Sequence, residues 1–255
     1  MFQNLRKSKK LLLIAMTCAT FAIAGCGSDT TKTTADNGTS VTWSETFDGT
    51  KTDFTVKSAP THAVSMSQAT TEMMLQLGLE DKMAGTAFKE EEIYPPLQAA
   101  YDKVKVLSEK WPSYEVFMSV KPDFATGWPD SFSKRAIPAD KMISQKVNIW
   151  IPESMLSTKA DLETNFSDMI KLGEIFGVKP KAEEWVAGQR KTLAAIQDKL
   201  KDLPRKRVFI YDSEDGQPFT AFEGYTTNIL KLIGADNVMS GLGVDKTWAK
   251  GSWET

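Results

Sequence analysis

The 255-residue chain carries 31 Lys and Arg against 33 Asp and Glu, a formal net charge of −2. A mildly acidic chain lacks the basic surface that nucleic acids and anionic membrane faces attract, so neither is expected as a partner. Its 13 Phe and 7 Trp suffice for two lobes or one large domain, whereas 2 Cys leave little scope for a disulfide framework.

The N-terminus has the features of a secretion signal. A largely apolar run, Leu11–Ala24, follows the four basic residues Arg6, Lys7, Lys9 and Lys10. A run of this length suits a signal peptide and is too short for a comfortable membrane span. We therefore predict that residues 1–25 are a signal peptide and not part of the fold.

The end of this segment, Ile23-Ala24-Gly25-Cys26, resembles the bacterial lipobox, in which small residues precede an acylated cysteine. The resemblance implies that Cys26 is the first mature residue and carries a lipid anchor. The alternatives are an ordinary secretory signal with an incidental cysteine, or a buried core helix. Cys18 lies inside the signal, so the mature chain would hold no thiol for a disulfide, a nucleophile or a metal site. Residues 26–42 are mostly polar, which predicts a flexible tether.

Residues 43–157 alternate between strand-like and helix-like segments. Such alternation indicates the α/β class with a mostly parallel sheet. The predicted segments are a β-hairpin over Trp43–Val56 that turns at Asp48-Gly49, a strand Ala63–Met66, a helix capped by Ser67 and ended by Gly78, a strand Met83–Thr86, a helix Tyr114–Val120, a strand Phe124–Trp128, a helix Lys141–Lys146 and a strand Val147–Ile151. We predict that they form an N-terminal α/β lobe.

Two long helices are predicted within a helical connection over residues 158–204. Thr158–Phe176 ends at Gly177, and Lys181–Leu203 runs to Pro204. The second of these helices would span about 34 Å, enough to run along a whole lobe or between two.

Residues 205–255 begin a second strand–helix series. Val208–Tyr211 is predicted as a strand, Thr226–Ile233 as a helix closed by Gly234, and Asn237–Met239 as the next strand. One such unit gives too little sheet for a complete lobe. We therefore expect a second lobe that is truncated at its C-terminus, with a small appended subdomain as the alternative.

Four pieces of the chain, in this order and at this spacing, resemble the substrate-binding receptors of ABC importers for siderophores, haem and cobalamin, the class with a helical backbone (class III). The pieces are Thr61–Glu72 with Leu77-Gly78 and Met83–Gly85, then Glu115–Gly127, then Arg207–Ala221, and last Ala235–Val238 with Trp248–Glu254. The resemblance covers nearly all of the chain from about residue 43 onward. It implies two α/β lobes joined by one long helix, and it supports the expectation of truncation.

The resemblance also implies a function and partners. Such receptors capture a small ligand and deliver it to permease subunits, whose arginines pair with one surface glutamate of each lobe. By position these glutamates are Glu115 and Glu254. The chain is thus expected to be a monomeric binding protein, not an enzyme. It would be lipid-anchored on the extracytoplasmic face of the cell membrane, periplasmic or at the cell surface. Its ligand would be an iron chelate, haem or a corrinoid.

In a two-lobed receptor the ligand lies between the lobes, at the C-terminal ends of the strands. Aromatic side chains there suit a large planar or chelated ligand by stacking and area burial. The candidates are Met66, Ser67, Thr86, Phe88, Trp111, Trp128, Phe132 and Trp150 in the first lobe, and Phe219, Glu223, Tyr225 and Trp248 in the second. For each of them, packing in the core or at the rim is the alternative.

The chain offers little for metal binding or catalysis. His62 is the only histidine, and a site for a bare transition metal needs several converging ligands, so we expect no metal and no cofactor. We find no nucleophile elbow, no phosphate-binding Gly-rich loop and no zinc-protease motif. A surface lipoprotein enzyme such as a hydrolase, or a receptor for a free metal ion, remain the alternative functions.

Overall fold

The computed structural model describes residues 40–254. Within that range the strands are β1 (Val41–Phe47), β2 (Thr50–Val56), β3 (Ala63–Ser65), β4 (Met83–Ala87), β5 (Val106–Ser108), β6 (Phe124–Thr126), β7 (Asn148–Trp150), β8 (Lys206–Val208), β9 (Tyr211–Glu214), β10 (Pro218–Ala221), β11 (Ala235–Asn237) and β12 (Trp248–Lys250). The helices are α1 (Gln68–Gln76), α2 (Gln98–Tyr101), α3 (Tyr114–Ser119), α4 (Ala139–Ser144), α5 (Leu162–Ile175), α6 (Lys179–Leu200) and α7 (Tyr225–Leu232). The predicted signal peptide, Cys26 and most of the predicted tether lie outside the described residues.

The first two strands form the predicted β-hairpin. Asp48 and Gly49 connect them and both have positive φ, as a two-residue turn that matches strand twist requires. The pairing extends outward to Val41 with Val56, so β1 begins two residues before the predicted start of the lobe and takes in the end of the predicted tether. The hairpin packs against the main sheet, where the Trp43 indole donates to the carbonyl oxygen of Ile149 at 2.7 Å.

The main sheet is fully parallel, in the order β5-β4-β3-β6-β7. Its central strands are buried on both faces. In β6, Phe124 belongs to one hydrophobic cluster and Ala125 to the other, and both are fully buried. Because neighbouring side chains of a strand point to opposite faces, the two clusters lie on the two sides of this sheet.

The helical connection consists of α5 and α6, which pack against each other. Asp161 accepts the backbone N–H of Thr164 at 2.9 Å, so α5 begins after it rather than at Thr158 as predicted. The reversal occurs at Gly177, with φ +70. At Gly173 an added Cβ would lie 2.7 Å from the Cβ of Ala182, so the two helices approach closely there. Helix α6 spans about 33 Å, close to the predicted length.

The C-terminal part, from β8 to β12, contains two small sheets. Strands β8 and β11 are parallel neighbours, whereas β12, β10 and β9 form an antiparallel sheet. The single strand predicted over Val208–Tyr211 is in fact two strands, which pair in different sheets. Helix α7 lies one residue from its predicted bounds. The α/β fold with a parallel sheet and a long helix is confirmed, and the C-terminal part adds antiparallel pairing that was not predicted.

Candidate ligand-binding site

A cavity of about 370 Å³ lies between the N-terminal part of the described chain (β1 to α5) and the C-terminal part (β8 to β12). The side chains that line it are Ala69, Met73, Trp128, Ser154, Met155, Asn165, Glu223, Tyr225, Thr226, Thr247 and Trp248. Both parts contribute to the wall, and the volume falls in the range of sites for small organic ligands.

One side of the cavity is formed by the first two turns of α1. The Ser67 hydroxyl accepts the backbone N–H of Thr70 at 3.3 Å, which fixes where the helix begins. Ala69 and Met73 follow one helical turn apart, so they present the same face of α1 to the cavity.

Trp128 reaches the cavity from the segment after β6. Its backbone precedes the 3₁₀ turn Pro129–Phe132, and its indole Nε1 donates to Glu90 at 3.4 Å. Before it, a Cβ at Gly127 would lie 2.8 Å from the Cβ of Met66, so glycine allows this turn to sit against the end of β3.

A second wall follows β7, and α5 holds it in place. The two carboxylate oxygens of Asp168 accept the backbone N–H groups of Glu153 and Ser154, each at 2.9 Å. This orients the 3₁₀ turn that presents Ser154 and Met155 to the cavity, and Asn165 adds a polar group from one turn earlier in α5. Burial raises the pKa of the Asp168 carboxyl, although these hydrogen bonds act in the opposite direction.

A second buried carboxyl supports the same segment from β1. Glu45, which is 6% exposed, accepts the backbone N–H of Ile151 at 3.0 Å. The pKa of Glu45 is raised to about 7, mainly because burial disfavours the charged form; the hydrogen bond from Ile151 lowers this pKa, and the nearby charges of Glu153 and Asp168 raise it.

The C-terminal part contributes one carboxylate to the wall. Glu223 accepts the backbone N–H of Gly241 at 2.8 Å and the Ser240 hydroxyl at 3.2 Å. These two hydrogen bonds fix the orientation of the carboxylate. Both donors are uncharged, so neither neutralises its negative charge.

Two aromatic rings complete the C-terminal wall. Trp248 stacks on Phe219 with ring centroids 6.0 Å apart. Burial, and to a smaller extent the charge of Asp168, raises the pKa of the Tyr225 hydroxyl, so this phenol stays protonated at neutral pH. The rings therefore offer stacking area together with a neutral hydrogen-bonding group.

Close backbone packing brings the two parts together beside the cavity. Gly224, with φ +85, precedes α7, and a Cβ there would lie 2.7 Å from Thr247 and 3.2 Å from the carbonyl oxygen of Ser157. One turn into α7, the Asn228 amide donates to the carbonyl oxygen of Ala160 at 2.8 Å.

The structure brings together some of the residues predicted to bind ligand. Trp128, Tyr225, Trp248 and the further candidate Glu223 line the cavity. Met66, Phe132 and Trp150 are buried in the hydrophobic clusters of the main sheet, and their side chains do not line the cavity.

The remaining first-lobe candidates, Ser67, Thr86, Phe88 and Trp111, also do not line the cavity. Ser67 and Thr86 are buried, and Ser67 caps α1. Phe88 and Trp111 stack on each other with ring centroids 4.5 Å apart, and the Trp111 indole donates to the carbonyl oxygen of Met66 at 3.0 Å. Phe88 has φ +59, in the region that bulky residues rarely adopt.

Several residues of the wall were not among the candidates. Ser154 and Met155 follow the end of β7, so the rule that places sites at the C-terminal ends of parallel strands could have found them. Asn165 and Thr247 carry no such signal, because their positions depend on how α5 and β12 pack against distant parts of the chain.

The predicted docking glutamates are both exposed. Glu115 lies in the first turn of α3, where hydrogen bonds from its own backbone N–H and then from the Ser113 hydroxyl lower the pKa of its carboxyl. Glu254 is exposed near the end of the described range. His62 hydrogen-bonds through its ring to the Thr61 hydroxyl at 3.0 Å.

Residues 40–254 lack both a metal-binding cluster and a membrane-spanning helix. No three or more histidine, cysteine or carboxylate side chains there converge as a metal site. No helix of this range has both the length and the apolar character to cross a membrane.

Comparisons with known proteins agree with this architecture. The chain is 98% identical to a periplasmic binding protein from Veillonella parvula whose crystal structure is known, with a TM-score of 0.83 over 85% of this chain and 73% of that one. It is 27% identical over 237 residues to an uncharacterized ABC transporter substrate-binding lipoprotein of Bacillus subtilis, covering 91% of this chain and 73% of that protein. It is 25% identical over 180 residues to a vitamin B12-binding protein of Vibrio vulnificus, covering 70% of this chain and 61% of that protein.

A family model described as periplasmic binding protein matches residues 64–255, which include both parts of the chain that form the cavity. The chain belongs to the periplasmic binding protein family.

Proposed function

We propose that this chain is the substrate-binding component of an ABC importer and that the cavity between its two parts holds an iron-chelate, haem or corrinoid-type ligand. The observation that carries the proposal is the meeting of three aromatic side chains at one cavity. Trp128 comes from the N-terminal part, whereas Tyr225 and Trp248 come from the C-terminal part. A ligand held between them stabilises the two parts against each other, which is how capture would be signalled to a permease.

The wall suits a large ligand with a flat or ring-shaped surface. Aromatic side chains bury much area and prefer stacked contacts. Met73 and Met155 add flexible apolar surface, which adapts to irregular shapes. The name of the Vibrio relative, a vitamin B12-binding protein, supports a ligand of this kind.

Delivery requires a surface for the permease and a place at the membrane. We propose that Glu115 and Glu254 pair with permease arginines, as the family resemblance implies, and that Cys26 carries a lipid anchor on the extracytoplasmic face. The name of the Bacillus relative, a substrate-binding lipoprotein, supports the anchor. In this proposal the receptor acts as a monomer, since one ligand and one docking surface suffice.

Calorimetric titration with haem, cobalamin and a panel of ferric siderophores tests the proposal. We expect saturable binding of one member, weakened at least roughly tenfold by Trp128→Ala. Trp253→Ala is the matched control, because Trp253 is 58% exposed and does not line the cavity. If a folded protein binds no member of the panel, this function is wrong.

A further inference from the structure

We propose that the cavity discriminates by charge, favouring neutral or cationic chelates over anionic ones, and that Glu223 is the residue that sets this preference. This inference rests on the proposed function and narrows its ligand class. It follows from the charges that the described residues place in and around the cavity wall.

The first observation is the composition of the wall. Of its eleven described side chains, Glu223 is the one that bears a carboxylate, and none is Lys, Arg or His. Lys246, next to Thr247 in the chain, is exposed and is not part of the wall. An anionic ligand would therefore meet a carboxylate without a compensating cation, and the repulsion would act in a partly desolvated space.

The second observation is that the charge of Glu223 is held in place and is not neutralised. Its carboxylate is half-buried and accepts from Gly241 and Ser240, both uncharged donors. Among the ion pairs within residues 40–254, none includes Glu223. A fixed carboxylate of this kind can attract a cationic group of a ligand without reorganising.

Further negative charge lies next to the wall. The Trp128 indole donates to Glu90, whose position is set by Gln68, because the Gln68 side-chain oxygen accepts the backbone N–H groups of Glu90 and Glu91. Behind the wall, the charge of Asp168 acts on Tyr225. These acids have the same sign as Glu223 and strengthen its effect.

The positive potential in the wall is weaker. The starts of α1 and α7 face the cavity, and each helix start is equivalent to about half an elementary positive charge. Ser67 already satisfies one N–H group at the start of α1. At α7 the full negative charge of Glu223 lies two residues before Tyr225, the first residue of the helix. The carboxylates therefore outweigh the helix dipoles.

Neutral hydrogen-bonding groups are available to a ligand without charge. Within residues 40–254, the side-chain amide of Asn165, the Tyr225 hydroxyl and the Trp248 indole N–H have no hydrogen-bond partner, and all three side chains line the cavity. They fit the carbonyl and amide oxygens that neutral hydroxamate chelates and corrinoid side chains carry.

The test uses pairs of ligands that share a metal and scaffold and differ only in charge. The pairs are a ferric trihydroxamate bearing an ammonium arm and its succinylated derivative, cobalamin and its carboxylate derivative, and the dimethyl ester of haem and haem itself. In the pair that binds, we expect the neutral or cationic member to bind at least roughly tenfold more tightly. Glu223→Gln should reduce the ratio of the two affinities roughly fivefold.

Two control variants separate charge from structure. Asp198→Asn makes the same change in charge on exposed α6 and should leave the ratio unchanged. Ser240→Ala removes a hydrogen bond to Glu223 without changing the charge of the wall, so it should change the affinity ratio of a pair much less than Glu223→Gln does.

The outcomes distinguish this inference from the proposed function. Equal or tighter binding of the anionic member overturns the charge preference and leaves the receptor function standing. A ratio unchanged by Glu223→Gln in a folded protein removes Glu223 from the proposal. Absence of binding by every member of every pair overturns the receptor function and this inference together.

Discussion

The carboxylate of Asp168 in α5 accepts the backbone N–H of Ser154 at 2.9 Å, and so joins a helix of the connection to one wall of the cavity. The other oxygen of Asp168 binds the preceding backbone N–H in the same way. Asp168 is 5% exposed, so these bonds are shielded from water. A change in this side chain should therefore alter both the stability of the chain and the shape of the cavity.

Asp168→Ala should lower the free energy of unfolding by about 2–4 kcal/mol, because it leaves two N–H groups of a partly buried turn without acceptors. It should also weaken ligand binding, since Ser154 and Met155 lose their support. Asp202→Ala is the control, because Asp202 is exposed and should change stability by less than about 0.5 kcal/mol. Urea unfolding measures the free energy of unfolding of both variants. Equal stability of the two variants would contradict the role given to Asp168.

Glu45 makes the stability depend on pH. Its pKa in the folded chain is raised to about 7, mainly by burial. At pH values below the pKa of an ordinary glutamate, Glu45 is protonated in both the folded and unfolded states, so its ionisation does not lower the free energy of unfolding. As pH rises from there through 7, the unfolded state loses its proton first, so the free energy of unfolding falls.

Glu45→Gln should flatten this part of the profile and keep an oxygen acceptor for Ile151. Above pH 7 the variant should be more stable than the parent by up to about 3 kcal/mol. The free energy of unfolding of the variant should still fall somewhat with rising pH, because the pKa of Asp168 is also raised. The control is Glu214→Gln, which changes an exposed side chain. Thermal unfolding from pH 4 to 8 measures the profiles, and parallel curves for the parent and Glu45→Gln would refute the prediction.

Two glycines in the helical connection should respond oppositely to alanine. At Gly173 the new Cβ would lie 2.7 Å from the Cβ of Ala182, so α5 and α6 must move apart, at a net cost of about 1–2 kcal/mol. At Gly188, inside α6, no neighbour from residues 40–254 lies within 4 Å of an added Cβ, and alanine should stabilise the helix by about 0.5–1 kcal/mol. Chemical denaturation of both variants measures the difference. Destabilisation by Gly188→Ala would show that α6 is packed there.

Local signals explain which elements could be predicted from the sequence. Ser67 caps α1 and Gly78, with φ +64, ends its last turn, so this helix and the neighbouring strands were found within one or two residues. Strand β5 was missed because it is three residues long and lies at the edge of the sheet, where Val106 is 48% exposed and no alternating pattern marks it.

The site was harder to predict because distance along a strand decides where an aromatic side chain points. Trp150 is the last residue of β7 and is 4% exposed, whereas Trp128 lies two residues beyond β6 and lines the cavity. Both sit at the same edge of adjacent parallel strands, so the sequence rule predicted both. Whether each ring packs in the core or faces a ligand depends on tertiary packing that the local sequence does not encode.

Glu115→Ala should reduce transport without weakening ligand binding. Glu115 is exposed and does not line the cavity, so ligand affinity should stay within about twofold of the parent. Loss of a carboxylate that pairs with arginine removes a charge-assisted hydrogen bond and should lower uptake roughly tenfold.

The control for this variant is Glu109→Ala, which removes an exposed glutamate of the same part of the chain, outside α3. Uptake by cells that carry each variant, together with calorimetry on the purified proteins, separates docking from binding. If Glu115→Ala lowers affinity and uptake by the same factor, Glu115 acts on the ligand. If Glu109→Ala lowers uptake as much, general surface charge guides docking, and the specific pairing assigned to Glu115 is wrong.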